Sequence, residues 1–171
     1  MFNEMKKSFG RFMISVPISL FLILTALYML YRSVRNVFIT MAAPLFTVFA
    51  GLISLIITGE SLSVSSMVGF ISIIGVSVLN STILVGHYLR LTRDGMNKEK
   101  AIQETILDKF KPVVMGGLVA SVGLLPASLA YGVGSQVQKP LAIVVVGGMF
   151  IGTMLILLFM PLLLRFVQIE D

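Results

Sequence analysis

The sequence predicts an all-α membrane protein, a bundle of five transmembrane helices plus one short amphipathic interfacial helix. Three observations carry this expectation. Only 12% of the 171 residues are charged and 57% are hydrophobic, whereas a soluble domain usually carries about 25% charged residues. The apolar residues gather into five runs of spanning length, close to the ~20 residues that cross a hydrocarbon core of ~30 Å. All 8 acids, Glu4, Glu60, Asp94, Glu99, Glu104, Asp108, Glu170 and Asp171, fall outside those runs.

The first span is expected at about 13–31, MISVPISLFLILTALYMLY, with Pro17 in its first turns where a missing N–H is tolerated. The preceding MFNEMKKSFGR has a basic character, but the apolar run is too long for a signal peptide and no small-residue cleavage site follows. Arg32 to Asn36 form a tight basic turn suited to antiparallel helices. The second span, about 37–58, holds Pro44, which predicts a kink. After the turn Gly59-Glu60-Ser61, either Ser63 or Ser65 is a candidate cap for the third span, about 64–89.

That third span is the chain's organising stretch. It puts Ser72, Ser77, Asn80, Ser81 and Thr82 near membrane depth, where an unpaired polar group is costly, so this helix should face protein rather than lipid. Asp94-Gly95 then marks a turn, Asn97 a helix start, and Ile102, Ile106 and Phe110 one apolar stripe at i, i+4, i+8. These predict the amphipathic helix, about 97–110, lying along the membrane face. The fourth span, about 113–131, carries Gly116, Gly117, Gly123 and Pro126. The loop Gly132 to Pro140 leads to the fifth, about 141–164, with Gly148-x-x-x-Gly152 on one face. Gly116, Gly117, Gly148 and Gly152 are expected to let neighbouring backbones approach closely.

The net charge of +5 reflects basic residues in short segments between apolar runs, which topology explains better than nucleic acid does. One side of the membrane receives Arg32, Arg35, Arg90, Arg93, Lys98, Lys100, Lys109, Lys111 and Arg165, and the other Lys6, Lys7, Arg11 and Lys139. The expected N-terminus is therefore outside and the C-terminus cytoplasmic, with Lys6, Lys7 and Arg11 against the trend. Three basic residues on an outside N-terminus fit better with a natural start further upstream. With no Cys and one His, neither a disulfide framework, a thiolate metal site nor a His-rich site is available.

No nucleophile–base pair, phosphate-cradling loop or metal cluster is visible, and no cofactor is expected; Gly132-Val-Gly-Ser lacks the Lys and Ser/Thr of a P-loop. The spans contain no carboxylate, so the chain alone cannot supply a proton relay. Asn80 is the strongest polar candidate. Its carboxamide either orients a helix that meets protonatable groups in a partner, or serves packing, where such bonds average ~0.6 kcal/mol. His87 is read as an interface residue, and Lys109 and Lys111 as side chains that snorkel to lipid phosphates.

Three segments carry a family resemblance: Val68-Gly-Phe-Ile-Ser-Ile-Ile-Gly-Val-Ser-Val-Leu-Asn80; Lys109-Phe-Lys-Pro112 running into Met115; and Gly123-Leu-Leu-Pro126 with Gly132-Val-Gly-Ser-Gln-Val-Gln-Lys-Pro140 and Val146-Gly-Gly-Met149. Their order and spacing resemble the C-terminal membrane portion of resistance-nodulation-division (RND) efflux permeases, over roughly residues 13–166. Leu79 stands where drug-exporting members carry Lys, and the Val-Leu-Asn80 and Gln136-Val-Gln-Lys-Pro-Leu141 pieces look more like the heavy-metal branch; Gly116 stands where drug-type members carry Thr, which with Leu79 departs from a drug-type proton relay. The resemblance implies the last five of twelve membrane helices of a proton-driven exporter of metal cations or drugs. It also implies a proton-relay neighbourhood at Asn80 and Lys109, with no metal site of the chain's own. Its implied partners are membrane lipids, the rest of the transporter as a homotrimer, a periplasmic adaptor and an outer-membrane channel, with no nucleic acid. The implied location is the bacterial inner membrane. The chain is then expected to be a fragment, a truncated product or one piece of a split transporter, and the competing expectation is a small membrane scaffold without transport.

Overall fold

The computed structural model describes residues 2–130, 132 and 134–167, with side chains from Pro17 onward. Five helices follow one another: α1 (Phe2–Tyr31), α2 (Val34–Thr58), α3 (Val64–Arg93), α4 (Lys98–Ser128) and α5 (Ser135–Leu164). No strand occurs among the described residues. Helices α2 to α5 are long and apolar enough to cross a membrane, while the described apolar part of α1, Pro17–Tyr31, is shorter. An all-helical bundle is what the composition led us to expect. The inventory of five spans plus a separate surface helix differs from what is seen.

The connections are short because each has its own stop signal. Arg32 takes a left-handed φ of 51° and closes α1 through its N–H to the Tyr28 carbonyl at 2.8 Å. Gly59 ends α2 at φ 68°, a conformation that costs glycine nothing for want of a Cβ. Ser63 caps α3 reciprocally with Ser66: the Ser66 N–H donates to Ser63 Oγ at 3.3 Å, and the Ser63 N–H to Ser66 Oγ at 2.8 Å. This satisfies two of the orphan donors at a helix start.

The segment expected to form an independent amphipathic helix is instead the first half of α4, which runs without a break through Pro112. The physical reason is a single buried row. Ala101, Thr105, Val113, Gly117 and Ser121 recur at multiples of four residues and are all buried, with the half-buried Lys109 between them; the row winds round the helix by about 40° at each step, so α4 docks on the bundle on both sides of Pro112. Proline removes one N–H and crowds the carbonyl four residues back, but that packing holds the helix together across it. The expected Ile102, Ile106, Phe110 stripe is only partly inward: Ile102 is buried, while Phe110 is 50% exposed. The loop expected to reach Pro140 also ends early. α5 begins at Ser135, after Gly134 at φ 96°, so Pro140 sits inside the helix.

Helix α5 is the centre of the bundle, and α2, α3 and α4 pack around it while α1 lies mainly against α2. A larger apolar core gathers Tyr31, Val85, Tyr88, Ile102, Ile156 and Met160 towards one end. A smaller one gathers Leu55, Ile73, Val144 and Met149 towards the other. Phe46 of α2 stacks on Phe159 of α5 with centroids 4.9 Å apart, which adds to their burial.

Candidate functional site

Helix α3 sorts its polar residues by direction. Ser77 and Ser81 are buried, Ser72 is exposed, and Asn80 and Thr82 lie between. Several hydroxyls turn back onto their own helix: Ser72 Oγ donates to the Val68 carbonyl at 3.0 Å, and Thr82 Oγ1 to the Val78 carbonyl at 2.7 Å. Such bonds satisfy a hydroxyl without a partner helix. The Asn80 carboxamide has no such outlet, and no described residue pairs with it. It sits at the edge of an open strip that includes Ser72, Val76, Leu79 and Ile83, Leu79 being 59% exposed. Gly75 on the same strip has nothing within 4 Å of a Cβ position. The helix expected to face protein therefore does so on one side only.

Lys109 is partly buried on α4, next to Asp108, whose Oδ2 meets His87 Nε2 at 3.0 Å. Seven residues, roughly 10 Å of helical rise, separate Asn80 from His87. The structure thus does not join Asn80 to Lys109; it places them at different depths. The His87–Asp108 contact fastens the charged half of α4 to α3. At the opposite end, Lys139 Nζ meets Glu60 Oε1 at 2.9 Å, tying the start of α5 to the α2–α3 turn. Sequence reasoning found neither pair, because their members are far apart in the chain and the partner acids lie in a segment read as an interfacial helix and in a short turn.

The glycines divide likewise. A Cβ on Gly152 would come within 2.9 Å of the Thr47 Cα, one on Gly148 within 2.6 Å of Ile73 Cδ1, and one on Gly117 within 2.5 Å of Thr153 Oγ1. These positions let α5 sit against α2, α3 and α4. Gly147, not singled out from the sequence, is tighter still, since its Cβ would overlap Ser54 of α2. Gly116 faces open space with nothing within 4 Å, as does Gly123 one heptad on. Between α4 and α5 the Ser121 hydroxyl also reaches the Val146 carbonyl at 3.3 Å.

A tightly packed centre, open small-residue strips on α3 and α4, and four helices long and apolar enough to cross a membrane define a membrane-embedded helical domain. The chain belongs to the AcrB/AcrD/AcrF family, whose model matches residues 1–168. It is 32% identical over 170 residues to the cobalt-zinc-cadmium resistance protein CzcA of Cupriavidus metallidurans, covering 99% of this chain and 16% of that protein. It is 36% identical over 162 residues to the nickel and cobalt resistance protein CnrA of the same organism, covering 95% of this chain and 15% of that protein. The crystal structure of a heavy metal efflux pump superposes with a TM-score of 0.82 at 34% identity, over 96% of this chain and 16% of that one. The likeness to the heavy-metal branch of RND permeases, read from Leu79, Asn80 and the Gln-Val-Gln-Lys-Pro stretch, is borne out. The chain spans about a sixth of these relatives.

Proposed function

We propose that this chain is the C-terminal membrane part of a proton-driven RND-type efflux transporter of the bacterial inner membrane, exporting metal cations when assembled with the remaining porter and N-terminal regions. The observation that carries this reading is the match of nearly the whole chain, in sequence and in fold, to metal-resistance proteins. We place the N-terminus in the periplasm and the C-terminus in the cytoplasm, on the distribution of Lys and Arg. The partners in this reading are two further copies of the transporter, a periplasmic adaptor and an outer-membrane channel.

Within the assembly, the strip of α3 with Ser72, Gly75, Leu79 and Asn80 at its edge is the face against which the N-terminal half packs. Asn80 is open to that face, and Gly75 leaves room for a close helix. There Asn80 donates to, or accepts from, an ionisable group on the partner helix, holding it in register while its protonation changes. Lys109 lies nearer the membrane surface and biases the potential at the relay's mouth rather than touching Asn80. Cation selection falls to parts of the transporter outside this chain. Among the described residues, no three His, Asp or Glu side chains gather as a metal site.

The test is a segment exchange. The corresponding part of CzcA is replaced by this chain and cobalt, zinc and cadmium tolerance is scored in a sensitive host. Restored tolerance, lost again in N80A at unchanged membrane level, is the expected result. A membrane-inserted chimera that never confers tolerance would favour the scaffold reading instead.

A further inference from the structure

Where α4 begins and α5 ends, the two helices leave a groove of about 530 Å³, within the ~300–1,000 Å³ typical of small-molecule sites. Its walls include Glu99, Ile102 and Gln103 of α4 and Leu158, Leu162 and Arg165 of α5. The chemistry changes along its length. Leu158 and Leu162, one turn apart, present exposed apolar surface on α5, and buried Ile102 forms the inner wall. Beyond them, towards the helix ends, stand the exposed Glu99 and Arg165. Neither is in an ion pair with a described residue; the pairs that do form use His87 with Asp108 and Lys139 with Glu60. A groove with apolar walls at one end thus opens beside a cation and an anion, neither paired among the described residues, and one carboxamide, at the end of two helices apolar enough to cross a membrane.

We propose that this groove binds a phosphoethanolamine phospholipid. The phosphate lies against the Arg165 guanidinium, whose planar fork matches phosphate oxygens. The primary ammonium donates to Glu99, and Gln103 hydrogen-bonds the phosphate or ester oxygens. The upper acyl chain runs along Leu158 and Leu162. Charge complementarity selects this headgroup over its relatives. A phosphoglycerol headgroup satisfies Arg165 and leaves the Glu99 carboxylate without a cation. A phosphocholine headgroup brings a cation that has no N–H to donate. The site depends on α4 and α5 crossing a membrane and is independent of what the assembled transporter exports.

The test uses the purified 171-residue chain in detergent, mixed with phosphatidylethanolamine, phosphatidylglycerol and phosphatidylcholine of identical acyl chains, and native mass spectrometry of the retained adducts. One phosphatidylethanolamine should be held about fivefold more than either competitor, the worth of one modest charge-assisted hydrogen bond at a wet surface. E99Q should bring phosphatidylethanolamine down to the level of phosphatidylcholine, and R165Q should weaken all three. Both positions are exposed, and unchanged helical circular dichroism will show that the variants keep their fold. Equal retention of the three lipids overturns the proposal, as does a preference untouched by E99Q and R165Q. So does photo-crosslinking from position 103 in the assembled transporter that captures a protein segment and no lipid.

Discussion

Single positions carry two kinds of close-range energy in this bundle, unmet polarity and steric room. Tyr88 is 0% exposed, and its hydroxyl has no hydrogen-bond partner among the described residues, like those of Ser81 and Thr105. An orphaned buried hydroxyl costs about 1–3 kcal/mol. Y88F should therefore raise stability by about 1 kcal/mol in an SDS-titrated unfolding curve, and a fall would mean that the hydroxyl has a partner in the membrane. At Gly152 the nearest atom after the Thr47 methyl is backbone, the Thr47 Cα, which cannot swing away. G152A should cost about 1–3 kcal/mol by overpacking, while G75A, with nothing nearby, should be neutral or slightly favourable through helix propensity. Equal effects of the two in the same unfolding assay would contradict the packing described for α5.

Helix α4 shows what a sequence pattern can and cannot specify. The charged residues Lys98, Glu99, Lys100, Glu104 and Asp108, followed by Pro112, look like a surface helix and a break. Packing decides otherwise, because Ala101 and Thr105 continue the row of Val113, Gly117 and Ser121. Small residues such as Ala101 give no hydrophobic signal, so the row was invisible to a search for large apolar side chains, which chose Phe110 instead. The Ser63 cap, the Gly59 stop and the Asp94-Gly95 turn were legible, since each is a local device. The two ion pairs and the Gly147–Ser54 contact were not, since they depend on how distant helices register. If the first half of α4 is docked as described, A101L should loosen it by about 1–3 kcal/mol and speed tryptic cleavage at Lys98, Lys100 and Lys109. F110S, at a half-exposed position, should leave cleavage near the wild-type rate. Identical digestion of the two variants would mean that this half is not held by Ala101.

Considered whole, the molecule has a closed interior and open outer faces. α5 is enclosed by α2, α3 and α4, yet Asn80, Gly75, Gly116 and Gly123 border or face open space, the faces at which the proposed function places the rest of the transporter. The membrane class of the chain was legible from composition alone, and its family from a few motif stretches. Which polar groups meet was not, because Asn80's partner in this account lies outside the chain. The most direct measurement of the central claim is cation transport in proteoliposomes holding the assembled transporter with this chain as its C-terminal membrane part. An imposed proton gradient should drive zinc or cobalt movement that a protonophore collapses and N80A strongly reduces. Cation movement indifferent to the gradient, or none from a correctly assembled transporter, would contradict the account.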